Sequence, residues 1–265
     1  MSDNYPLITI IIAVLNDRSV LERCIKSIVS QTYSHKELII MDGGSTDGSV
    51  DLINSYIKYI AYWESKPDRG IYHAWNKALT HAHGEWICFM GADDFFWNED
   101  VLAELSPHLE DAHFNKIKIA YGRVTKVDAQ ENIKKILGKP WQKIKWLMPH
   151  GMPLHLPHPG MMHHRSLFER HGLFDETFMI AGDYEFLLRE LKNGKALFVE
   201  GVRTVGSQIG GIADFSDLQT NMETVRAKQK NGLKQFSWVW IAVYIRALVR
   251  KPWRNYLCNY LKIKI

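Results

Sequence analysis

The sequence predicts an α/β protein with a Rossmann-like, mostly parallel sheet flanked by helices and followed by a C-terminal helical appendage. Three apolar runs have the length of strands that are buried on both faces, at residues 7–15, 37–41 and 85–90. Three segments with apolar residues at helical spacing alternate with these runs, at residues 19–31, 50–60 and 71–82. Strand–helix alternation of this kind is typical of a doubly wound sheet.

The second half of the chain is less regular. Its patterns predict strands at residues 117–127 and 196–205 and helices at residues 166–171 and 183–193. Residues 138–164 are rich in Pro, His, Trp and Gly, which predicts a long loop over the edge of the sheet.

The composition is that of a globular protein. The chain has 265 residues, of which 46% are hydrophobic and 23% charged, and this excludes a disordered, collagenous or coiled-coil protein. A net charge of +4 is too small to indicate a nucleic-acid partner. Cys24, Cys88 and Cys258 lack CxxC spacing and predict free thiols in a reducing compartment. We find neither a signal-peptide pattern nor an apolar stretch long enough to span a membrane, so we expect a cytoplasmic protein.

Polar clusters follow each of the first three predicted strands. Asn16 and Asp17 follow the first strand, residues 42–48 the second, and residues 91–94 the third. Ligands of such sheets bind beyond the carboxyl ends of the strands. The clusters together therefore predict a binding site, although any one of them could be an ordinary polar turn.

Asp93 and Asp94 indicate a divalent cation. Two adjacent carboxylates are costly to hold together unless a cation neutralises them, and oxygen ligands suit Mg²⁺ or Mn²⁺. Such ions often share their ligand shell with substrate phosphates, so a nucleoside diphosphate substrate follows. A helix cap is the alternative role for this pair. The GxGxxG and P-loop fingerprints are absent, which disfavours dinucleotide dehydrogenases and P-loop enzymes.

Six segments between residue 7 and about residue 190 occur in a specific order: TIIIAVLN, SQTY, ELIIMDGGSTDGS, PDRGIYHAWNKAL, GEWICFMGADD and AGDYEFLLR. The ordered set resembles the family 2 nucleotide-sugar glycosyltransferases of the GT-A fold, especially bacterial enzymes that build capsule, exopolysaccharide or O-antigen. The resemblance implies an inverting, metal-dependent transfer of a sugar from a nucleotide-diphosphate donor, with UDP as the first choice, to a saccharide acceptor.

The resemblance also implies which residues contact the nucleotide. Ala13 matches the position whose backbone flanks the base, and Asn16 lies in the same strand-end segment. Asp42 matches the residue that recognises the uracil and ribose, while Gly43 stands where many relatives have a second acid. Asp68 matches a position near the nucleotide.

The resemblance assigns the diphosphate side in the same way. Asp93 would contact the ribose and Asp94 would bind the metal, as in the DXD motif of the family. Arg69 could meet a phosphate or be a solvated surface residue, and Lys77 has the same two alternatives.

Asp183 matches the acidic residue of the late motif of the family and is the candidate catalytic base, with Glu185 in reserve. A helix N-cap is the alternative for Asp183. His158, His163 and His164 precede it in LPHPGMMHHRSLF, where relatives often place a His near the diphosphate. We assign His158 to donor binding; structural roles or a zinc site are the alternatives, and the spacing matches no common zinc motif.

The last thirty residues interleave aromatic and basic side chains and contain no acid. We therefore divide the chain into a catalytic domain, residues 1–235, and a basic aromatic tail, residues 236–265. Such a tail suits peripheral contact with an anionic membrane at its cytoplasmic face, which agrees with a lipid-linked acceptor. Packing of the tail on the domain, or a homodimer contact, is the alternative. A nucleotidyltransferase and a non-catalytic sugar-nucleotide binding protein are the alternative functions.

Overall fold

The computed structural model describes residues 5–148, 156–209, 217–234 and Ile245. The predicted tail at residues 236–265, apart from Ile245, therefore lies outside the described residues, and so does Cys258. The described part contains these helices and strands: β1 (Ile8–Val14), α1 (Arg18–Val29), β2 (Lys36–Asp42), α2 (Ser49–Ser55), β3 (Tyr62–Ser65), α3 (Ile71–Leu79), β4 (Trp86–Gly91), β5 (Asp94–Phe96), α4 (Val101–Phe114), β6 (Ile119–Val127), β7 (Ile133–Leu137), α5 (Trp141–Ile144), β8 (Met162–His164), α6 (Ser166–His171), α7 (Gly182–Leu191), β9 (Leu197–Gln208) and α8 (Asp217–Lys230).

One mixed sheet organises these elements. The strand order is β3-β2-β1-β4-β8-β6-β9-β5, and β7 pairs with β6. Strands β3, β2, β1 and β4 are mutually parallel, which confirms the predicted parallel half of the sheet. Strand β8 runs antiparallel to both neighbours, β9 is parallel to β6, and β5 is antiparallel to β9.

Strands β1 and β4 in the middle of the sheet are buried on both faces, as the unbroken apolar runs predicted. In β1, Ile8, Ile10 and Ile12 pack into a core that includes residues of α1 and α4. Ile11 points to the opposite face, into a second core that includes residues of α3 and α7. Burial on both sides makes the position of β1 rigid, and this strand is therefore a firm base for the polar residues that follow it.

The predicted loop at residues 138–164 was wrong at its end. Residues 162–164 form β8, which joins β4 to β6 in the middle of the sheet, and Met162 and His163 are fully buried there. A strand of three residues is too short to show an apolar period, so its pairing partners had to be known. Helix α5 also lies within the predicted loop, and strands β3, β5 and β7 and helix α4 had no counterpart among the predicted elements.

Cys24 and Cys88 are free and buried, as expected of thiols in the core. Within the described ranges, no helix is long and apolar enough to cross a membrane.

Candidate active site

The first three predicted polar clusters meet at one edge of the sheet. In the strand register, Ala13 lies opposite Met41 of β2 on one side and Gly91 of β4 on the other. Ala13 therefore lies between the end of β2, which carries Asp42, and the end of β4, which leads to Asp93 and Asp94. Parallel pairing aligns the carboxyl ends of the strands, which is why side chains distant in sequence converge here.

Asn16 connects the end of β1 to the loop after β2. Its backbone φ is +51°, in the left-handed region that Asn tolerates better than most residues. Its side-chain oxygen accepts the amide of Thr46 at 2.8 Å, and its own amide donates to Ser45 Oγ at 2.7 Å. Asn16 therefore holds the Gly-rich loop against β1.

Asp42 is buried and only half satisfied by the protein. Its Oδ2 accepts hydrogen bonds from the amides of Gly44 and Ser45 and from the Ser65 hydroxyl, at 2.6–3.0 Å. Its Oδ1 is equally buried but has no hydrogen-bond partner in the described part of the chain. A buried acceptor without a donor is costly, so an N–H or O–H group of a ligand would stabilise this site.

Asp68 lies beside Gly43, the residue after Asp42. A β-carbon on Gly43 would come within 3.0 Å of Asp68 Oδ2. The other oxygen of Asp68 accepts the Gly70 amide at 2.9 Å, which fixes the side chain. Because Gly43 has no side chain, the Asp68 carboxylate can occupy the space that a side chain at position 43 would need.

Asp93 and Asp94 turn back toward the end of β4. A β-carbon on Gly91 would lie 2.7 Å from Asp93 Oδ1 and 3.2 Å from Asp94 Oδ2, so the two carboxylates share one small space. Asp94 is buried and accepts the Gly91 amide at 2.9 Å, whereas Asp93 is half-buried. Solvent therefore reaches the Asp93 carboxylate more easily than that of Asp94.

Electrostatics at this pair favour a cation. Burial, and then the negative charge of Asp93, raise the pKa of Asp94, while a hydrogen bond from Ser207 opposes that rise. Burial and the charges of Asp93 and Asp47 likewise raise the pKa of Asp17. The donor set consists of carboxylate oxygens in a region of excess negative charge, which fits Mg²⁺ or Mn²⁺.

Asp183 lies in the first turn of α7 and is held by Tyr72 of α3. The Tyr72 hydroxyl accepts the Gly182 amide at 2.8 Å, lies 2.6 Å from the Ile180 carbonyl and is 3.2 Å from Asp183 Oδ1. The side chain of Asp183 is 25% exposed. Burial raises the pKa of Asp183 to about 6, against the lowering effect of hydrogen bonds from Tyr184 and Tyr72. A carboxylate with a raised pKa and some access to solvent suits a general base.

Glu223 of α8 braces the segment that leads to Asp183. Its carboxylate accepts the backbone amides of Met179, Ile180 and Ala181 at 2.8–3.1 Å. Sequence reasoning missed the roles of Glu223 and Tyr72. Each lies at least forty residues from the segment it supports, and no local sequence pattern indicates that contact. The reserve base Glu185 is fully buried and pairs with Arg189, so it is not available to a substrate.

His158 is next to Asp183, with Nδ1 3.8 Å from Asp183 Oδ2. Its ring stacks on Trp75 at 5.3 Å and on Phe89 of β4 at 6.0 Å. Burial lowers the pKa of His158 to about 3, so the ring is neutral at pH 7. The Phe89 contact places His158, and with it Asp183, beneath the end of the strand that leads to the Asp pair.

Two cationic candidates are engaged elsewhere. Arg69 is exposed and pairs with Glu176 at 2.5 Å. Lys77 pairs with Glu64 of β3. Of the predicted donor-site residues, Ala13, Asn16, Asp42, Asp68, Asp93 and Asp94 share the edge of the sheet, His158 joins Asp183, and Arg69 points to a surface ion pair.

Comparison with known proteins agrees with this geometry. The family described as Glycosyl transferase family 2 matches residues 9–172. A "PGL/p-HBAD biosynthesis glycosyltransferase" of Mycobacterium tuberculosis is 28% identical over 214 residues, which cover 79% of this chain and 80% of that protein. An uncharacterized glycosyltransferase of the same species is 31% identical over 186 residues, covering 69% and 68%.

Solved structures show the same fold. S. aureus TarS 1-349 in complex with UDP-GlcNAc superposes with a TM-score of 0.67 at 15% identity, covering 97% of this chain and 76% of that one. The mannosyltransferase PcManGT from Pyrobaculum calidifontis, in complex with GDP-Man and Mn²⁺, gives a TM-score of 0.63 at 19% identity, covering 92% and 69%. The chain therefore has the GT-A fold and belongs to glycosyltransferase family 2.

Proposed function

We propose that this glycosyltransferase is an inverting, metal-dependent enzyme that uses a nucleotide-diphosphate sugar, with UDP as the first choice of nucleotide. The acceptor is a saccharide, lipid-linked, in the synthesis of a bacterial surface polysaccharide. The observation that carries the proposal is the Asp183 carboxylate, whose pKa is raised to about 6 by burial and which lies beside His158, a residue that stacks on Phe89 of β4.

The nucleotide end of the donor fits Asp42 and Asp68. The unpartnered Oδ1 of Asp42 is suited to accept the N–H of a base such as uracil, and Asp68 supplies the second acid that Gly43 lacks. TarS has been solved with UDP and with UDP-GlcNAc, and PcManGT with GDP-Man, so related folds accept both nucleotides. The imide N–H of uracil and an acid form a matched donor–acceptor pair. Thymine presents the same N–H, so the choice of uracil rests on the resemblance and is tested by the donor screen below.

Asp93 and Asp94 would hold the divalent cation at the diphosphate. When bound, the ion neutralises charge that develops on the departing diphosphate. The chain itself fixes the position of the Asp94 carboxylate, through the Gly91 amide and the pairing of β5 with β9. PcManGT, a relative in fold, has been solved with Mn²⁺.

Asp183 would act as the base in a single displacement. It takes the proton of the acceptor hydroxyl while that oxygen forms a bond to the anomeric carbon and the bond from that carbon to the diphosphate oxygen breaks. Attack from the face opposite the leaving group inverts the configuration. His158 is neutral and adjacent, so it can hydrogen-bond to the carboxylate or the acceptor without adding charge. Membership of the family favours sugar transfer over nucleotidyl transfer.

Asp183→Asn tests the proposal, because it keeps the shape of the side chain and removes the base. We expect turnover to fall by about 100-fold or more, while binding of UDP with Mn²⁺ in calorimetry stays unchanged. Glu169→Gln is the matched control, since Glu169 is an exposed carboxylate in the same part of the chain. Near-normal turnover of Asp183→Asn would remove this residue as the base.

A donor screen by thermal shift with UDP-, GDP- and dTDP-sugars plus Mn²⁺ identifies the nucleotide. UDP-sugars should raise the melting temperature most. A larger shift with GDP- or dTDP-sugars would contradict the choice of uracil while leaving the role of Asp183 intact.

A further inference from the structure

We propose that Glu85, His113 and His164 form a binding site for a transition-metal ion of the Zn²⁺ class, separate from the candidate active site. Glu85 precedes β4, His113 lies in the last turn of α4, and His164 ends β8. Their ligand atoms converge: His113 Nδ1 lies 3.0 Å from His164 Nε2 and 3.1 Å from Glu85 Oε1, and the latter two atoms are 3.6 Å apart.

These separations match the edges of a tetrahedral site. Zn²⁺ binds His nitrogen and carboxylate oxygen at about 2.0–2.2 Å, which puts neighbouring ligands of a tetrahedron about 3.3 Å apart. Two His and one Glu are an established ligand set for Zn²⁺, with a fourth position left for water or another group. The side chains of His113 and Glu85 are 59% and 44% exposed, so that fourth position is open to solvent.

Hydrogen bonding alone accounts poorly for this cluster. His113 Nδ1 has both an imidazole nitrogen and a carboxylate oxygen at hydrogen-bond distance. A neutral imidazole nitrogen supplies either one N–H or one lone pair, so it cannot pair well with both neighbours. A metal ion among the three atoms would accept a lone pair from each of them.

Contacts with Ser166 hold the His164 ring in place. His164 Nδ1 lies 2.8 Å from the Ser166 hydroxyl; when Nδ1 donates to that oxygen, Nε2 presents its lone pair to a metal. The Ser166 amide also approaches Nδ1, at 3.2 Å, so metal binding would select one tautomer of His164.

Backbone hydrogen bonds position the segments that carry His164 and Glu85. The amide of His164 donates to the Lys118 carbonyl, and the amide of Arg165 donates to the Glu85 carbonyl, both at 2.8 Å. The Arg165 guanidinium in turn donates to the carbonyls of Ala82 and Gly84, in the turn before β4. The segment that carries Glu85 is thereby fixed to the segment that carries His164.

This site lies at the opposite edge of the sheet from the catalytic acids. Glu85 precedes β4 and Asp93 follows it, and a strand of that length spans roughly 17 Å. The ion would tie the end of α4 to β4 and β8 and so stabilise the fold. The inference does not depend on the proposed function, because none of the three ligands belongs to the proposed active site.

The test is a Co²⁺ titration of the full chain, purified free of metal, with excess Mg²⁺ present. Mg²⁺ occupies oxygen-rich sites and competes poorly for imidazole. We expect one Co²⁺ per chain with the strong visible absorption of a tetrahedral site, and displacement of that Co²⁺ by Zn²⁺. Zn²⁺ alone should raise the melting temperature, since an ion that binds only the folded state stabilises it.

His113→Ala and Glu85→Gln should weaken Co²⁺ binding by at least about 10-fold. His108→Ala is the matched control, because it removes an exposed His from the same helix. Equal binding by wild type and His113→Ala would overturn the site, and so would a Zn²⁺ titration that leaves the melting temperature of the wild type unchanged. Asp183→Asn should keep the Co²⁺ spectrum, so failure of the proposed function and failure of the metal site give different results.

Discussion

At the scale of single residues, Asp183 depends on its surroundings for its properties. An exposed Asp would be ionised at every physiological pH and would be a weak base. Burial raises its pKa to about 6, although the hydrogen bond from Tyr72 acts in the opposite direction. Asp183 is then mostly ionised near pH 7 and still basic enough to accept the proton of a hydroxyl group as the new bond forms.

This pKa predicts the acidic limb of the pH profile. The base must be deprotonated, so kcat should fall about tenfold per pH unit below pH 6 and level off above it. Steady-state kinetics with saturating donor and metal would measure the limb. An apparent pKa near 4 for this limb would show that Asp183 is solvated during turnover.

The same shift predicts how Asp183 affects stability. The pKa is raised on folding, so the ionised form opposes folding above pH 6, and this cost disappears as the pH falls below the unfolded value near 4. Asp183→Asn should therefore increase the free energy of unfolding by about 1–3 kcal/mol at pH 8 and by little at pH 4. Urea unfolding at the two pH values would measure the difference, and equal effects at both would contradict the shift.

The proposed roles of Asp93 and Asp94 in metal binding can be tested by separate substitutions. Asp94 takes up protons more readily than an exposed Asp, because burial and Asp93 raise its pKa. Mn²⁺ binding should therefore release protons, so its calorimetric enthalpy should vary with the ionisation enthalpy of the buffer. Asp93→Asn and Asp94→Asn should each weaken Mn²⁺ binding, while the exposed control Asp51→Asn should not. Unchanged Mn²⁺ affinity in both site variants would contradict the proposed metal site.

At the scale of elements, helices α3 and α8 support the catalytic segment from two sides. Tyr72 accepts the Gly182 amide, and Glu223 accepts the three amides before it. The chain before Asp183 thus has its buried donors satisfied by side chains of other helices. These contacts fix the direction in which Asp183 enters the site.

Tyr72→Phe and Glu223→Gln should shift the acidic limb in opposite directions. The Tyr72 hydrogen bond lowers the pKa of Asp183, so its loss should raise the limb; the charge of Glu223 raises that pKa, so its neutralisation should lower the limb. We expect both variants to reduce kcat more than they raise the KM of the donor. Met222→Gln, at an exposed position of α8, is the control. Limbs that do not move would restrict both residues to a structural role.

At the scale of the whole molecule, the basic and aromatic composition of the tail predicts contact with a membrane. Apart from Ile245, residues 236–265 lie outside the described part, and their aromatic and basic side chains suit an anionic membrane surface. Deletion of residues 236–265 should abolish cosedimentation with anionic liposomes and leave soluble-acceptor turnover intact. Neutral liposomes provide the control, and equal sedimentation of the two proteins would reject a membrane role for the tail.

The parallel half of the sheet and its polar edge could be predicted because their signals are local. A strand buried on both faces must be apolar throughout, and the chain must become polar where it leaves the core, as at Asn16 and Asp42. Strand β8 could not be predicted in this way, since three residues carry no period and its place is defined by β4 and β6.

Apolar patterning and ordered motifs were enough to predict the fold class, the family and the acids at the strand ends, because these signals depend on residues close to one another in the chain. The tertiary structure decided what those acids experience. It left one oxygen of Asp42 without a partner, put Asp68 beside Gly43, and raised the pKa of Asp183 through burial. It also brought Glu85, His113 and His164 together from three elements. Burial and contact distances between residues far apart in sequence arise only when the chain folds, and these distances decide the chemistry of the site.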